Sequence, residues 1–257
     1  LLIFFTKYFI YTLEILKWDK INILKWFFIK MRLFRKNNIY IYIYMSLLQQ
    51  LGVKHRTDKS QHTFKNKTYC DIYDTYFINI RNNVKTFVEI GIKSGCSLKM
   101  WEEYFPNATI YGIDIDPACK AYEKGRIKCF IGDQNDENFL LEIKKKIGKY
   151  DILLDDGSHI TSHQIKTFNI LYENCDENGF YIIEDLRNSY EEILNKHNVR
   201  KIWPGMKYNK KDDELKNYRK DLNNFFQDKI KKLDFHRADK MFAIHYYPMI
   251  VIFDNFC

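Results

Sequence analysis

Residues 150–186 read YDILLDDGSHITSHQIKTFNILYENCDENGFYIIEDL, and this stretch decides the fold. Short apolar runs at residues 151–154 and 180–183 each stop at acidic residues, and residues 162–175 between them have the length and apolar spacing of one helix. Two strands joined by a helix in this way form a right-handed crossover and lie parallel. We therefore predict an α/β fold in which both strands end at the edge of the sheet where such folds bind their ligands.

Acidic residues follow both of these strands. Asp155, Asp156 and His159 come after the first strand, and Glu184 and Asp185 come after the second. Because the strand ends meet at one edge, we expect these side chains to lie together, with a cation such as Mg2+ offsetting the repulsion between the carboxylates. The histidine, three residues after an acid, is a candidate metal ligand or general base. The alternative is that all of these are solvated residues of ordinary loops.

A second ligand-binding turn is predicted upstream. Residues 85–90 (KTFVEI) form a buried-strand pattern, Gly91 and Gly95 follow, and residues 97–105 have a helical pattern. Such a turn lets backbone approach a ligand closely and offers the free N–H groups of a helix N-terminus, while Glu89 is placed to meet a positive or hydroxyl-bearing part of that ligand. The spacing E-x-G-x-x-x-G differs from the GxGxxG of dinucleotide enzymes, which favours S-adenosylmethionine over NAD.

Two further strands also end in acids. Residues 109–113 precede Asp114, and residues 127–131 precede Gly132 and Asp133. An acid at the first of these positions typically receives ribose hydroxyls in nucleotide-binding α/β folds, and the second lies where an adenine or ribose edge is expected. Each acid alone is equally typical of a helix cap. Successive strands ending in acid favour a nucleotide-type cofactor.

Composition narrows the class of protein. With 257 residues, 46% hydrophobic and 29% charged, the chain is long enough for one α/β domain with a core and an extra segment. Much of the net charge of +8 falls in residues 1–44, which hold eight basic residues against two acidic ones. This distribution argues against a nucleic-acid-binding surface on the folded domain. The six cysteines include no CxxC pair, which favours reduced thiols and a cytoplasmic location.

The chain divides into a basic, hydrophobic N-terminal extension, residues 1–44, and a domain at residues 45–257. Charged residues interrupt the apolar runs of the extension, so they are too short to span a membrane, and the features of a secretory signal are missing. The extension is interpreted as a basic amphipathic helix on a membrane surface or as a poorly ordered, non-native segment, with Met45 as a candidate initiator.

Three segments of the domain carry weaker signals. Residues 55–77 predict a loop leading into a helix, with Thr57-Asp58-Lys59 typical of a cap followed by a solvated face. Residues 187–229 predict a loop and then an amphipathic helix, which either covers the acidic edge as a lid or is a solvated face. Residues 242–247 and 249–254 predict an antiparallel hairpin, in which His245 is a structural residue.

These motifs resemble a known family. VEIGIKSGCSLKMW (residues 88–101), YGIDIDP (111–117), DILLDDGSH (151–159) and YIIEDL (181–186), in this order, resemble the class I S-adenosylmethionine-dependent methyltransferases. The narrower resemblance is to the metal-dependent sugar O-methyltransferases of macrolide biosynthesis, of the mycinamicin and tylosin pathway type, and to cephalosporin hydroxylase-like relatives. It covers about residues 55–254 and implies a Rossmann-like, doubly wound, mostly parallel sheet that ends in an antiparallel hairpin.

The resemblance also implies roles for individual residues. The S-adenosylmethionine pocket would be lined by Glu89, Gly91, Gly95, Asp114, Asp133 and Asp155. Mg2+ would be held by Asp156, Glu184 and Asp185, with His159 as the general base. The chain departs from the family at Arg56, where the pattern has glycine, and residues 187–229 do not match well enough to assign a sugar-binding residue.

The reaction implied by the resemblance is Mg2+-dependent transfer of a methyl group from S-adenosylmethionine to a hydroxyl of a sugar or sugar-bearing small molecule. Three alternatives stay open: a catechol or small-phenol O-methyltransferase, a non-catalytic S-adenosylmethionine-binding partner subunit, and an NAD-dependent oxidoreductase. The missing GxGxxG motif and the acidic second edge weigh against the last. We expect no nucleic-acid partner. A homo-oligomer and weak contact of residues 1–44 with a membrane surface are further expectations.

Overall fold

A computed structural model of the chain describes residues 31–36, 39–61, 63–64, 66–190, 218–237 and 240–256. The strands are β1 (Met31–Lys36), β2 (Ile39–Tyr44), β3 (Thr63–Phe64), β4 (Lys67–Thr68), β5 (Thr86–Ile90), β6 (Thr109–Asp114), β7 (Ile127–Ile131), β8 (Tyr150–Asp155), β9 (Cys175–Ile183), β10 (Ala243–Tyr247) and β11 (Ile250–Asp254). The helices are α1 (Leu47–His55), α2 (Tyr69–Phe77), α3 (Cys96–Tyr104), α4 (Glu137–Ile147), α5 (Thr161–Leu171) and α6 (Tyr218–Asp234). Short 3-10 turns are formed by Asp58–Ser60, Pro117–Tyr122, Tyr172–Asn174 and Leu186–Ser189.

Within the described residues, seven strands form one sheet in the order β10-β11-β9-β8-β5-β6-β7. Strands β9, β8, β5, β6 and β7 run parallel, and the hairpin β10-β11 joins β9 antiparallel. The predicted doubly wound, mostly parallel sheet with an antiparallel hairpin is confirmed. Since the chain winds from β5 to β7 on one side and returns to β8 and β9 on the other, the switch point lies between β5 and β8. Ligands of open α/β sheets bind at this point.

Helices cover both faces of the sheet, and alternate residues of its strands point to opposite faces. In β9, Phe180 and Ile182 join a core with α1, α2 and α3, whereas Tyr181 and Ile183 join a second core with α4, α5 and α6. Both faces are therefore shielded from water. The carboxyl ends of the strands remain as the edge at which polar groups collect.

The segment before β5 contains more structure than the sequence predicts. The predicted helix is α2, and its capping box, in which Thr68 and Asp71 exchange side-chain and backbone hydrogen bonds, explains where it begins. An additional helix, α1, precedes it, with Ser46 accepting a hydrogen bond from the N–H of Gln49. The solvated face expected after this cap is not found, because Lys59 and Ser60 are only 2% and 7% exposed, whereas Asp58 is exposed.

The described part of the N-terminal extension is an antiparallel strand pair, β1 with β2. The predicted amphipathic helix is therefore not found in residues 31–36 and 39–44, and residues 1–30 lie outside the described part of the chain. Among the described helices, none combines the length and the apolar character needed to cross a bilayer. The five described cysteines are free thiols.

The segment at residues 187–229 begins in the 3-10 turn Leu186–Ser189 and ends within α6. The predicted amphipathic helix is confirmed by α6, which buries Leu222 and packs Phe225 against Phe168 of α5, with ring centroids 5.0 Å apart. Residues 191–217 lie outside the described part of the chain, and so does most of the predicted lid. Its role stays a prediction.

Candidate metal and cofactor site

Backbone hydrogen bonds tie the ends of β5, β8 and β9 together. The N–H of Asp156 donates to the carbonyl of Ile90 at 2.9 Å, and the N–H of Glu184 donates to the carbonyl of Asp155 at 3.0 Å. These bonds extend the pairing of the strands by one residue into the loops that follow. The two acidic motifs are therefore brought side by side, as predicted from their places at neighbouring strand ends.

Two residues of this site have an unusual backbone conformation. His159 has φ of +57° and Asp185 has φ of +58°, in the left-handed region that residues other than glycine rarely adopt. Such conformations cost about 1–3 kcal/mol each and are concentrated at functional sites. Here they accompany a close approach of the two side chains, with His159 Nε2 lying 3.6 Å from Asp185 Oδ2.

Asp156, His159 and Asp185 form a group of possible metal ligands. Each offers one ligand atom, and these atoms lie within 4.8 Å of one another. The three residues are partly buried, so a bound ion would be shielded from bulk water on one side. Carboxylate oxygens with an imidazole nitrogen are a donor set that suits divalent ions. The residues present therefore fit a divalent metal ion.

Glu184, the third predicted ligand, is bound by protein groups in this arrangement. Lys59 Nζ donates to both of its carboxylate oxygens at 3.0 Å, and Tyr73 donates to Oε1 at 2.6 Å. Lys59 also donates to Asp156 Oδ2 at 2.5 Å, and Tyr69 donates to Asp185 Oδ1 at 3.1 Å. A layer of donors thus lies against the acidic residues.

Sequence reasoning missed these donors. Lys59 comes from the 3-10 turn before α2, and Tyr69 and Tyr73 lie four residues apart on α2, so they share one helix face. The run TDK and this tyrosine spacing were the available signal. Neither shows by itself which acid the segment meets, because the contacts join residues 97 to 125 positions apart.

Burial changes the proton affinities of this cluster. Burial and the neighbouring Asp156 raise the pKa of Glu184, and Lys59 and Tyr73 oppose that rise. Burial by itself lowers the pKa of Lys59, but the charges of Asp156, Glu184 and Glu89 outweigh it and raise the pKa above its ordinary value. Burial also raises the pKa of Glu89 to about 7, against the opposing effect of Lys59. The ammonium group of Lys59 therefore stays charged, whereas burial disfavours the charged forms of the Glu184 and Glu89 carboxyl groups.

Two of the residues predicted to contact the cofactor lie in the interior. Glu89 is 0% exposed, accepts a hydrogen bond from Ser97 at 2.7 Å and lies 3.5 Å from Lys59 Nζ. Asp155 is also 0% exposed, and both of its oxygens accept from the amide of Gln134 at 2.7 Å. Burial raises the pKa of Asp155 to about 6. Both acids contact protein groups at the site, and their contact with the cofactor stays a prediction.

The glycines of the predicted turn are required by protein packing. Gly91 has φ of +85°, and a Cβ there would lie 2.1 Å from the carbonyl oxygen of Asp156. Gly95 has φ of +66°, and its Cβ would lie 2.6 Å from the ring of Tyr122. The glycines thus admit the neighbouring loop and an aromatic ring, and their predicted approach to a ligand stays a prediction.

The remaining two acids lie at the ends of β6 and β7. Asp114 accepts hydrogen bonds at 2.9 Å from the N–H groups of Ile92 and Lys93, in the glycine turn, and from that of Asp116. It therefore holds the turn against the end of β6. Asp133 is exposed and accepts from the N–H of Asn135 at 2.7 Å. Both predicted residues are thus at the ligand-binding edge.

Comparison with known proteins identifies what the chain resembles. No family model matches it. It is 38% identical over 140 residues to demethylmacrocin O-methyltransferase of Streptomyces fradiae, a match that covers 52% of this chain and 32% of the relative. It is 34% identical over 150 residues to the 8-demethyl-8-alpha-L-rhamnosyl tetracenomycin-C 2'-O-methyltransferase of Streptomyces olivaceus, which covers 56% of this chain and 38% of the relative.

A solved structure extends the resemblance to the fold. The MycE methyltransferase from the mycinamycin biosynthetic pathway, in complex with Mg, SAH and mycinamycin VI, superimposes with a TM-score of 0.62 at 29% identity, covering 80% of this chain and 54% of that one. The chain spans 32% and 38% of the length of the two curated relatives. The resemblance to macrolide sugar O-methyltransferases, in sequence and in the class I methyltransferase fold, is confirmed.

Proposed function

We propose that this chain, which is similar to the sugar O-methyltransferases of macrolide pathways, is a Mg2+-dependent O-methyltransferase. It would move a methyl group from S-adenosylmethionine to a hydroxyl of a sugar or sugar-bearing small molecule. The observation that carries the proposal is the grouping of Asp156, His159 and Asp185 within 4.8 Å at the carboxyl ends of β8 and β9, beside the switch point of a class I methyltransferase sheet. The names of the relatives support a glycosylated acceptor, and the MycE complex with Mg and SAH supports the two cofactors.

Asp156 and Asp185 would hold the ion. The carboxylate of Glu184, the residue before Asp185, is proposed as a further ligand. A bound divalent ion supplies Lewis-acid chemistry, which lowers the pKa of an acceptor hydroxyl. The tyrosine donors keep the carboxylates in fixed orientations, since Tyr69 binds Asp185 and Tyr73 binds Glu184. The site is therefore organised by the protein before an acceptor binds.

His159 is proposed as the general base. Its position 3.6 Å from Asp185 Oδ2 supports this role, because it places the imidazole beside the carboxylates proposed to hold the ion, where the acceptor hydroxyl would bind. The acceptor hydroxyl would lose its proton to His159. The oxygen of the acceptor would then attack the methyl carbon of the sulfonium, so that the new C–O bond forms as the C–S bond breaks.

The cofactor is proposed to lie along the ends of β5, β6 and β7. Asp133 is exposed there and has carboxylate oxygen available for a hydroxyl or amine of the cofactor. Asp114 uses three acceptor positions for backbone N–H groups, and an ionised carboxylate has about four, so one remains for a ribose hydroxyl. Glu89 and Asp155 are proposed to line the pocket from the interior.

The test is methyl transfer by the full chain. The protein is incubated with S-adenosylmethionine carrying an isotopically labelled methyl group and with panels of rhamnosides, other deoxysugar glycosides and catechols. We expect label on a sugar hydroxyl, detected by mass spectrometry, with loss of transfer in EDTA and recovery in Mg2+. Transfer to catechols alone would support the phenol alternative. Calorimetric binding of the cofactor without transfer to any acceptor would support a non-catalytic role.

Four expectations drawn from the sequence concern properties of the protein other than this site. The cytoplasmic location inferred from reduced cysteines stays a prediction, and so do the homo-oligomer, the membrane-surface contact of residues 1–44 and the domain boundary at residue 45. The acceptor pocket is proposed to include part of residues 187–229, because this segment directly follows the acidic end of β9.

A further inference from the structure

We propose that Lys59 is a built-in counter-ion that competes with the divalent ion for the acidic cluster and so weakens the affinity of the metal site. The inference rests on the proposed metal-dependent function and deepens it. Lys59 Nζ contacts carboxylate oxygens of three residues: Asp156 at 2.5 Å, Glu184 at 3.0 Å and Glu89 at 3.5 Å. One ammonium group thus has the surroundings of a bound cation.

Burial strengthens the effect of the Lys59 charge on the neighbouring groups. The side chain of Lys59 is 2% exposed, and those of Glu184 and Glu89 are 3% and 0% exposed. An ammonium group removed from water needs close opposite charge to offset several kcal/mol of lost hydration, and the same holds for each carboxylate. Electrostatic interactions are also screened less here than at the surface. Lys59 therefore has a larger effect on the local potential than an exposed lysine would have.

Asp156 is one residue through which Lys59 and the metal would interact, and Glu184, proposed as a further ligand, is another. Asp156 belongs to the group formed with His159 and Asp185, and its Oδ2 also accepts the hydrogen bond from Lys59. A divalent ion at that group would share this carboxylate with the ammonium. Two positive charges that share one carboxylate repel each other, and each reduces the attraction that the other receives.

Hydrogen bonds and packing hold the backbone around Lys59 in place. The turn that carries the ammonium group therefore cannot move away from the acidic residues. Ser60 Oγ donates to the carbonyl of Thr57 at 2.7 Å, and Gln49 of α1 donates to the carbonyl of Ser60 at 3.0 Å. The turn is also pressed against α1, because a Cβ on Gly52 would lie 2.8 Å from Ser60 Cβ. The competition is therefore a permanent property of the site.

The experiment compares Mg2+ and Mn2+ binding by EDTA-treated wild type, Lys59→Gln and Lys59→Arg, using calorimetry and the electron paramagnetic resonance signal of Mn2+. Glutamine keeps a hydrogen-bond donor for the carboxylates but removes the charge, and arginine keeps the charge. We expect the affinity of Lys59→Gln for both ions to rise by roughly tenfold or more, and that of Lys59→Arg to stay within a few-fold of wild type. Lys54→Gln is the matched control, because Lys54 pairs with Glu103 at the surface and is 59% exposed.

A second measurement covers the case in which the glutamine variant is unstable without metal. The melting temperature is recorded against Mg2+ concentration, and we expect a larger rise with Mg2+ in Lys59→Gln than in wild type or Lys54→Gln. Unchanged or weaker metal binding by Lys59→Gln, with normal binding by wild type, would overturn the proposal and make Lys59 a group that pre-organises the site. Failure of wild type and all variants to bind either ion would instead overturn the proposed function.

Discussion

His159 Nε2 lies 3.6 Å from Asp185 Oδ2, and both residues have a left-handed backbone conformation. His159 lies four residues after the end of β8 and Asp185 two residues after the end of β9, so each conformation turns the chain in the loop that follows a strand. Glycine would adopt this backbone more easily but would supply neither an imidazole nor a carboxylate. The two side chains proposed to act in the reaction therefore lie at positions where the backbone disfavours them, which is typical of functional sites.

Replacement of His159 tests the general base. Asparagine tolerates the left-handed conformation better than alanine, so His159→Asn removes the imidazole with little added backbone strain. We expect turnover to fall by about 10²–10⁴, the usual contribution of a general base, while cofactor binding stays unchanged. His245→Asn is the control, since His245 lies in β10 and contacts Asp254 at 3.1 Å. Near-wild-type turnover of His159→Asn would contradict the assignment.

Replacement of Asp156 tests the metal site. Asp156→Asn removes one of the charges that attract a divalent ion, so the Mg2+ concentration needed for half-maximal methyl transfer should rise by at least about tenfold. The measurement is a Mg2+ titration of activity together with calorimetry of Mg2+ alone. Glu177→Gln, an exposed change in β9, is the control for a lost acidic charge. Identical titrations for Asp156→Asn and wild type would exclude Asp156 as a ligand.

The close approach at Gly91 predicts a large loss of stability in Gly91→Ala. Gly148→Ala is a matched control, because Gly148 also has a positive φ, of +70°, but a Cβ there has no neighbour within 4 Å. The control should lose only the backbone cost of its conformation, φ of +70° with ψ of −136°, which is about 1–3 kcal/mol. Gly91→Ala adds a clash with the Asp156 carbonyl and should lose clearly more, measured by urea unfolding. Equal losses would mean that the loop after β8 can move away without cost.

The contact between Ser158 and His163 predicts a specific pH dependence. Burial lowers the pKa of His163, and Ser158 Oγ lies 2.9 Å from its Nδ1. The pKa of His163 in the folded state is below that in the unfolded chain, about 6.5. The contribution of the neutral imidazole to the free energy of unfolding is therefore fully present above that pH. It is lost as the pH falls from there towards the folded-state pKa, since the unfolded chain binds the proton more readily.

His163→Asn removes this titration and leaves an amide oxygen near the position of Nδ1. The free energy of unfolding of the variant, measured by urea titration from neutral to mildly acidic pH, should therefore fall less steeply than that of wild type below about pH 6.5. Parallel curves for the two proteins would show that His163 does not titrate differently in the folded state.

Local patterns in the sequence determined the sheet and the acidic edge. Alternating and continuous apolar runs mark each strand, and the rule that crossovers join parallel strands brings the acids after β8 and β9 together without knowledge of any side-chain contact. The terminal hairpin and α6 follow from equally local signals. The family resemblance added the expected roles of the individual acids.

Only the tertiary structure decided which groups meet those acids. Lys59 and Tyr73 reach Glu184 from segments more than a hundred residues earlier in the chain, because α1 and α2 pack on one face of the sheet. It also decided that Glu89 and Asp155 lie in the interior. The physical reason is that hydrophobic periodicity specifies which face of an element is buried. It does not specify which distant polar group that burial will place against a charge.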